Sequence, residues 1–379
     1  MTPVQADSIE EFRCVADLER AAAAALPVDI WDFVAGGSGA ELTLAANRDA
    51  LNRVQLVPRL LRDVSRCTTD TVLLGQPARA PMAIAPIAYQ RLVHPDGELA
   101  AARAARDAGV PFIASTLSSV SIEELAAVGG NLWFQLYWLR DTGHTMDLVR
   151  RAEEAGCTGI VLTVDVPWMG RRLRDVRNAF GLPEDVRAAN FGELSTAHQR
   201  RSSQSAVAVH TSEAFSSAVT WASVDLLRAR TALPLALKGI LAPEDARQAV
   251  GAGVDAIVVS NHGGRQLDGA IPSIDALPAV VAAVDGAVEV LMDSGIRTGT
   301  DILKALALGA SGVLIGRPLM WGLAMGGQAG AEQVLRLLAE ELRDALGLAG
   351  CDSVAAAPSV NGARPGRPPA GARPPRTTP

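Results

Sequence analysis

Eight short apolar runs recur along the chain, at 82–88, 111–116, 132–138, 159–167, 234–240, 256–263, 288–296 and 312–318. Stretches patterned as helices lie between most of them, at 96–108, 121–128, 142–155, 243–252, 274–284 and 299–308. Several open on start signals such as Asp96, Ser121, Pro243 and Thr298. A strand that reads as an unbroken apolar run is covered on both faces, and strands that alternate with helices pair in parallel. Eight such units predict an α/β fold, a (β/α)8 TIM barrel. A doubly wound open sheet is the alternative. It usually has fewer strands and carries a glycine-rich fingerprint after the first, which is absent here.

The rhythm also divides the chain. The barrel is expected over 81–350, preceded by a helical extension, 1–80, with an alanine-rich helix near 15–26. Residues 168–220 form a long polar interruption after the fourth strand, the kind of insertion that acts as a lid over an active site. The segment 358–379 holds seven prolines and four arginines with almost no apolar bulk, so it is expected to be disordered. The "GGSG" at 36–39 resembles a phosphate loop, but it follows no strand and precedes no lysine, so a turn or helix stop is the better reading.

Composition excludes several function classes. No apolar stretch approaches the length of a membrane span, and "MTPVQADSIEEFR" lacks the pattern of a secretory signal. Cys14, Cys67, Cys157 and Cys351 are scattered, which predicts free thiols in a reducing, cytoplasmic setting and no metal or disulfide framework. A net charge of −6 argues against general nucleic-acid binding.

In a parallel barrel the C-terminal strand ends share one rim, where catalytic groups gather. Here nearly every strand ends in something polar: Tyr89, Ser115, Gln135 with Tyr137, Thr163 with Asp165, Lys238, Ser260 with His262, Asp293 with Arg297, and Gly316 with Arg317. "DSGIRTG" (293–299) and "IGRP" (315–318), after strands seven and eight, suit a phosphate, although each alone also reads as a glycine turn. Lys238 is one of only two lysines, and its burial at a strand end needs a compensating anion or electron-rich cofactor. His262 would project over the mouth from strand six. Gly263 and Gly264 would keep the backbone slim for a planar ligand. Arg265 could clamp a carboxylate, and Asp165 could steady the imidazole, making a general base beside an anion clamp.

"SNHGGRQLDG" (260–269), "TVDVPWMGRR" (163–172), "FQLYW" (134–138), "LKGI" (237–240) and "DSGIRTGTDILKALALGA" (293–310) together resemble the FMN-dependent α-hydroxy-acid oxidases and dehydrogenases, from about residue 10 to about 350. The resemblance implies FMN as cofactor, a 2-hydroxy acid and O2 as substrates, and a homo-oligomer, a tetramer. It implies that His262 takes the substrate hydroxyl proton, Asp165 orients it, Arg172 and Arg265 bind the carboxylate and Tyr137 touches the substrate near its hydroxyl. Lys238 would sit by the flavin N1/O2 edge. Ser115, Gln135, Thr163 and Ser260, with the backbone at Pro86, Ile87 and Ala88, would contact the isoalloxazine. Asp293, Ser294, Gly295, Arg297, Gly316 and Arg317 would hold the ribityl phosphate.

Two departures stand out. An N-terminal "YDY" segment of the family reads "WDF" here, and Trp31 is expected to replace a carboxylate-binding tyrosine. Asp-Ser-Gly (293–295) replaces Asp-Gly-Gly. Trp31, Tyr89, Tyr137, Trp168 and Met169 are expected to crowd the mouth, which favours an aromatic 2-hydroxy acid such as mandelate or 4-hydroxymandelate over lactate or glycolate. The insertion is mostly polar, unlike the apolar insert of membrane-bound relatives, so O2 is the expected acceptor. A phosphate-binding barrel without flavin is the reading from another class, and a visible spectrum separates the two.

Overall fold

The computed structural model describes residues 9–194 and 205–360. Eight parallel strands close into a barrel: β1 (Met82–Ile84), β2 (Phe112–Ser115), β3 (Leu132–Leu136), β4 (Gly159–Thr163), β5 (Leu235–Ile240), β6 (Ala256–Val259), β7 (Glu289–Met292) and β8 (Gly312–Ile315). β8 returns to β1 with Val313 opposite Met82. All eight lie within the apolar runs, and the six expected helices appear at Gly97–Ala108, Ile122–Ala126, Thr142–Glu154, Pro243–Gly251, Ser273–Val284 and Gly299–Ala307. Ser121 and Thr298 start their helices as expected, each accepting from the backbone N–H three residues on.

The alternation of side chains along each strand explains where chemistry can sit. Ile113, Trp133, Val161, Ala236, Val258, Leu291 and Leu314 face inward and fill the barrel. Two residues further along six of these strands the inward position turns polar, giving Ser115, Gln135, Thr163, Lys238, Ser260 and Asp293, all buried. Two more residues on, past the strand ends, stand Tyr137, Asp165 and His262. The opposite end is plugged by an antiparallel hairpin, Thr71–Leu73 with Gln76–Ala78, whose Leu73 and Leu74 join the inner cluster. The N-terminal end of the barrel is thus closed, and the polar layer lies towards its C-terminal rim.

Helices Val15–Ala25, Val28–Ala35 and Leu42–Arg53 precede the hairpin. They dock on the loop after β6. Asn47 and Asn261 exchange side-chain amide bonds at 2.9 and 2.7 Å. Asp268 accepts from Ala40 N (2.8 Å) and Thr43 N (3.0 Å), capping Leu42–Arg53 from a distant loop. Asp268→Ala is therefore expected to cost about 1 kcal/mol, read by thermal melting. Burial raises the Asp268 pKa, but bonds from the Thr43 and Ala40 N–H groups outweigh it and lower the carboxyl overall. The stability gap between wild type and variant should thus persist at neutral pH and close only as pH falls through that lowered value.

Three features were not legible. A helix at Trp221–Arg228 precedes β5. A helix from Arg317 to Ala349 follows β8, broken at Gly326–Gly327, where a Cβ on Gly327 would strike the His94 ring at 2.7 Å. The expected tail, 358–379, starts inside a short 3-10 helix, Val354–Val360, with Val360 buried, while 361–379 lies outside the described residues. No helix among the described residues is long and apolar enough to cross a membrane.

Candidate active site

The polar inner layer is internally bonded but incomplete. Ser115 Oγ donates to Gln135 Oε1 at 3.2 Å, as does Thr116 N at 3.2 Å. That leaves Gln135 Nε2 buried with no partner among the described residues, and Thr163 Oγ1 is in the same position. Lys238 Nζ lies 3.0 Å from Asp293 Oδ2 and donates to Ser260 Oγ at 2.9 Å. Burial alone would drive its pKa down; Asp293 and Asp165 outweigh that and raise it, so Lys238 is a buried cation.

His262 stands above this layer in a left-handed backbone conformation, φ 60°. That conformation is uncommon for a side-chain-bearing residue and is held here by neighbours: Asn261 Oδ1 accepts from Gly264 N at 3.1 Å, and Ser260 Oγ from His262 N at 3.0 Å. His262 Nδ1 is 2.9 Å from Asp165 Oδ1. Burial raises the Asp165 pKa, but His262 and Lys238 outweigh it, so Asp165 is a carboxylate. Burial, with Lys238 and Arg172 nearby, lowers the His262 pKa despite Asp165. The lowered pKa favours the neutral imidazole, and in that form the bond to Asp165 puts the proton on Nδ1 and leaves the Nε2 lone pair for the cavity. Gln266 steadies the pair, its Nε2 donating to Asp165 O at 2.7 Å and Trp168 O at 2.8 Å.

The glycines after His262 have a packing role that the sequence did not show. A Cβ on Gly264 would meet Leu44 N at 2.6 Å, and one on Gly263 would meet Arg317 Nη1 at 2.9 Å. The pair lets the N-terminal helices and Arg317 approach the loop, and Gly263 also lines the cavity beside His262. Likewise "GGSG" is a helix stop, with Gly36 N–H donating back to Asp32 O.

The carbonyls at that helix end hold two arginines. Arg265 Nη1 donates to Phe33 O and Gly36 O, each at 2.8 Å. Arg317 donates to Val34 O (3.0 Å), Gly36 O (2.8 Å) and Gly263 O (3.0 Å). The negative end of helix Val28–Ala35 thus cushions both cations. Arg172 is buried beside them, 3.9 Å from Asp175 Oδ2, and its Nε has no partner among the described residues. Burial and the mutual crowding of these guanidinium groups push Arg265 well below its ordinary range and Arg317 to about 9. Arg297 sits 4.7 Å over the Trp321 ring, and burial brings it to about 10. So much buried positive charge calls for anions.

A cavity of about 1250 Å³, solvent at its mouth included, joins these groups. Pro86, Ile87, Ala88, Tyr89, Ser115, Tyr137, Thr163, Met169, Arg172, Lys238, His262, Arg265, Asp293, Ser294, Gly295, Arg297, Gly316 and Arg317 all line it. Asp165, Gln135 and Ser260 stand one bond behind, as partners of His262, Ser115 and Lys238.

Two expected residues do not line it. Trp168 is 78% exposed. Trp31 stacks on Trp321, with ring centroids 6.4 Å apart, and the cavity-lining aromatic of "WDF" is Phe33. Residues two apart on a helix point about 200° apart, so only one of the pair can face the site. Phe33 has no hydroxyl, and Arg172 and Arg265 lie 5.9 and 5.4 Å over its ring. Sequence reasoning also missed Val207, Thr211 and Phe215, which line the cavity from helix Ala206–Ala214 and its C-cap. Their spacing of four was the available signal.

These groups fit FMN. The unpartnered Gln135 Nε2 and Thr163 Oγ1 offer donors to a polar ring, Lys238 offers charge to its electron-rich edge, and Arg297 and Arg317 await a phosphate. The helix that begins at Arg317 has no side-chain cap, and nothing lies within 4 Å of the space a Cβ on Gly316 would take, so the phosphate could rest on that helix start.

Comparison with known proteins agrees with this arrangement. The model of the FMN-dependent dehydrogenase family matches residues 22–361. 4-Hydroxymandelate oxidase of Amycolatopsis orientalis is 65% identical over 92% of this chain and 97% of its own. L-Lactate oxidase of Nostoc sp. is 50% identical over 86% and 90%, and human 2-hydroxyacid oxidase 1 is 45% identical over 90% and 94%. A crystal structure of mandelate oxidase with (S)-4-hydroxymandelic acid superposes with a TM-score of 0.90 at 64% identity, covering 91% of this chain and 97% of that one.

Proposed function

The chain belongs to the FMN-dependent dehydrogenase family, and from that premise we propose that it oxidises an aromatic 2-hydroxy acid, 4-hydroxymandelate or mandelate, to the 2-oxo acid, with O2 reduced to hydrogen peroxide. One observation carries the reading: His262, bonded to Asp165, lines one cavity with Arg172 and Arg265 above a buried Lys238.

Bound FMN supplies a two-electron acceptor. The residues do the rest. Arg265 and Arg172 bind the substrate carboxylate and so fix which face of the hydroxyl carbon turns to the barrel. His262 Nε2 takes the hydroxyl proton, and Asp165 stabilises the imidazolium that results. Tyr137, half-buried, with a pKa raised by desolvation and by Asp165, stays protonated and donates near the hydroxyl. Lys238 places positive charge where negative charge develops in the barrel mouth. Phe33, Met169, Val207 and Phe215 give the ring an apolar wall and keep water from the reacting carbon.

The panel that tests this is mandelate, 4-hydroxymandelate, lactate and glycolate, scored for peroxide. The mandelates should lead in kcat/KM by about 10- to 10²-fold, a ring buried in an apolar pocket being worth about 1.5–3 kcal/mol. Lactate or glycolate turning over while the mandelates stay inert would replace the aromatic reading by the small-acid one. The four cysteines are free, in keeping with a cytoplasmic enzyme. Exposed Leu60, Leu61 and Leu348 offer apolar surface for a homo-oligomer, of which a tetramer is our reading.

A further inference from the structure

A second cavity lies on the outer side of the barrel, wedged between the ends of β4 and β5 and the chain from 215 to 224. It holds about 1100 Å³, solvent at its mouth included. Its inner wall is apolar, built by Trp138, Val224, Leu237 and Ile240, all buried. Thr220 and Asp245 are exposed and mark its outer mouth. Four residues, Tyr137, Thr163, Val166 and Phe215, line both cavities, so a wall one side chain thick separates them.

Part of that wall is stiff. The Tyr137 and Phe215 rings stack with centroids 4.3 Å apart. Phe215 is pinned by its bridge to Leu139 and by bonds on either side, Ser216 N to Trp138 O and Arg140 N to Ala214 O, each 2.9 Å. The rest of the wall is Thr163 and Val166. Thr163 belongs to the polar inner layer, and its Oγ1 has no partner among the described residues.

We propose that the second cavity is a binding site and entry route for dioxygen. The inference rests on the oxidase reading. In that reading the first cavity is cationic and holds a carboxylate, as substrate or product, through most of the cycle. Dioxygen is small and apolar, and apolar cavity walls such as the buried one of Trp138, Val224, Leu237 and Ile240 take up such gases. From the second cavity, a path past Thr163 and Val166 reaches the inner layer without crossing the arginine clamp. There dioxygen would take the two electrons and, overall, the two protons that the 2-hydroxy acid gives up on becoming the 2-oxo acid, and leave as hydrogen peroxide.

Xenon serves as the probe. In xenon-pressurised crystals of the holoenzyme, xenon should occupy the cavity between Trp138, Val224 and Leu237. A crystal with no xenon there overturns the proposal. Val224→Phe narrows the cavity at a residue that does not line the first one. After anaerobic photoreduction, its reoxidation by O2 should slow by about tenfold, while reduction by substrate keeps the wild-type rate. Trp221→Ala, at the cavity rim, should not slow reoxidation. Unchanged reoxidation in Val224→Phe, or an equal loss in both half-reactions, counts against the route. A preparation without flavin colour would defeat the oxidase reading itself, and it is seen in the visible spectrum before either measurement.

Discussion

His262→Ala is expected to remain yellow yet to bleach about 10³- to 10⁴-fold more slowly than wild type when 2-hydroxy acid is added without oxygen. Colour survives because the donors assigned to the cofactor, Gln135, Thr163, Lys238, Arg297 and Arg317, do not bond to the imidazole. Bleaching fails because no other neutral base with a free lone pair faces that part of the cavity among the described residues: Lys238 is charged and paired, and the Asp165 carboxylate sits behind the ring. Asp165→Asn should fall between the two, since it keeps a partner for the ring but offers no charge to the imidazolium. The pH profile provides the independent check. Burial lowers the His262 pKa, and a base must be neutral to accept a proton. The acid limb of kcat/KM should therefore lie below the ordinary histidine value of about 6.5, with activity lost as pH falls through it. Wild-type bleaching in His262→Ala would take proton removal away from this residue.

Arg265→Leu is expected to lower kcat/KM by about 10³-fold, the ~4 kcal/mol typical of removing one partner from a buried charge pair. The loss should be divided between KM, because the carboxylate loses a fork of donors, and kcat, because the substrate is no longer aimed. Arg265→Lys should recover only part, since an ammonium offers a point charge and cannot span both the Phe33 and Gly36 carbonyls and the substrate. Titrating the oxidised protein with the 2-oxo acid product, followed by the flavin spectrum, reads the binding part alone. Unchanged product affinity in Arg265→Leu would leave the clamp to Arg172.

Much of this site was legible because a strand has only two faces. Once the eight apolar runs are taken as strands, stepping by two from Ile113, Trp133, Val161, Ala236, Val258 and Leu291 lands on the polar layer without further information. What escaped lay where no such period applies. Trp31 and Phe33 sit two apart on a helix, and choosing between them needs the direction of that helix against the barrel. The cavity-facing stripe Val207–Thr211–Phe215 lies in an insertion whose polar composition reads as a loop. The glycines at 263–264 answer to Leu44 and Arg317, residues far away in sequence, so their purpose depends on packing that no local pattern records.

The short run of carbonyls from Phe33 to Gly36 carries a consequence of its own. Gly36 O accepts from Arg265, the residue proposed to bind the substrate acid, and from Arg317, the residue proposed to hold the cofactor phosphate. On that proposal both anions lean on the same few peptide groups. If either one shifts those groups, the two ligands are thermodynamically linked, and by reciprocity whatever factor the cofactor adds to substrate affinity, the substrate returns to cofactor retention.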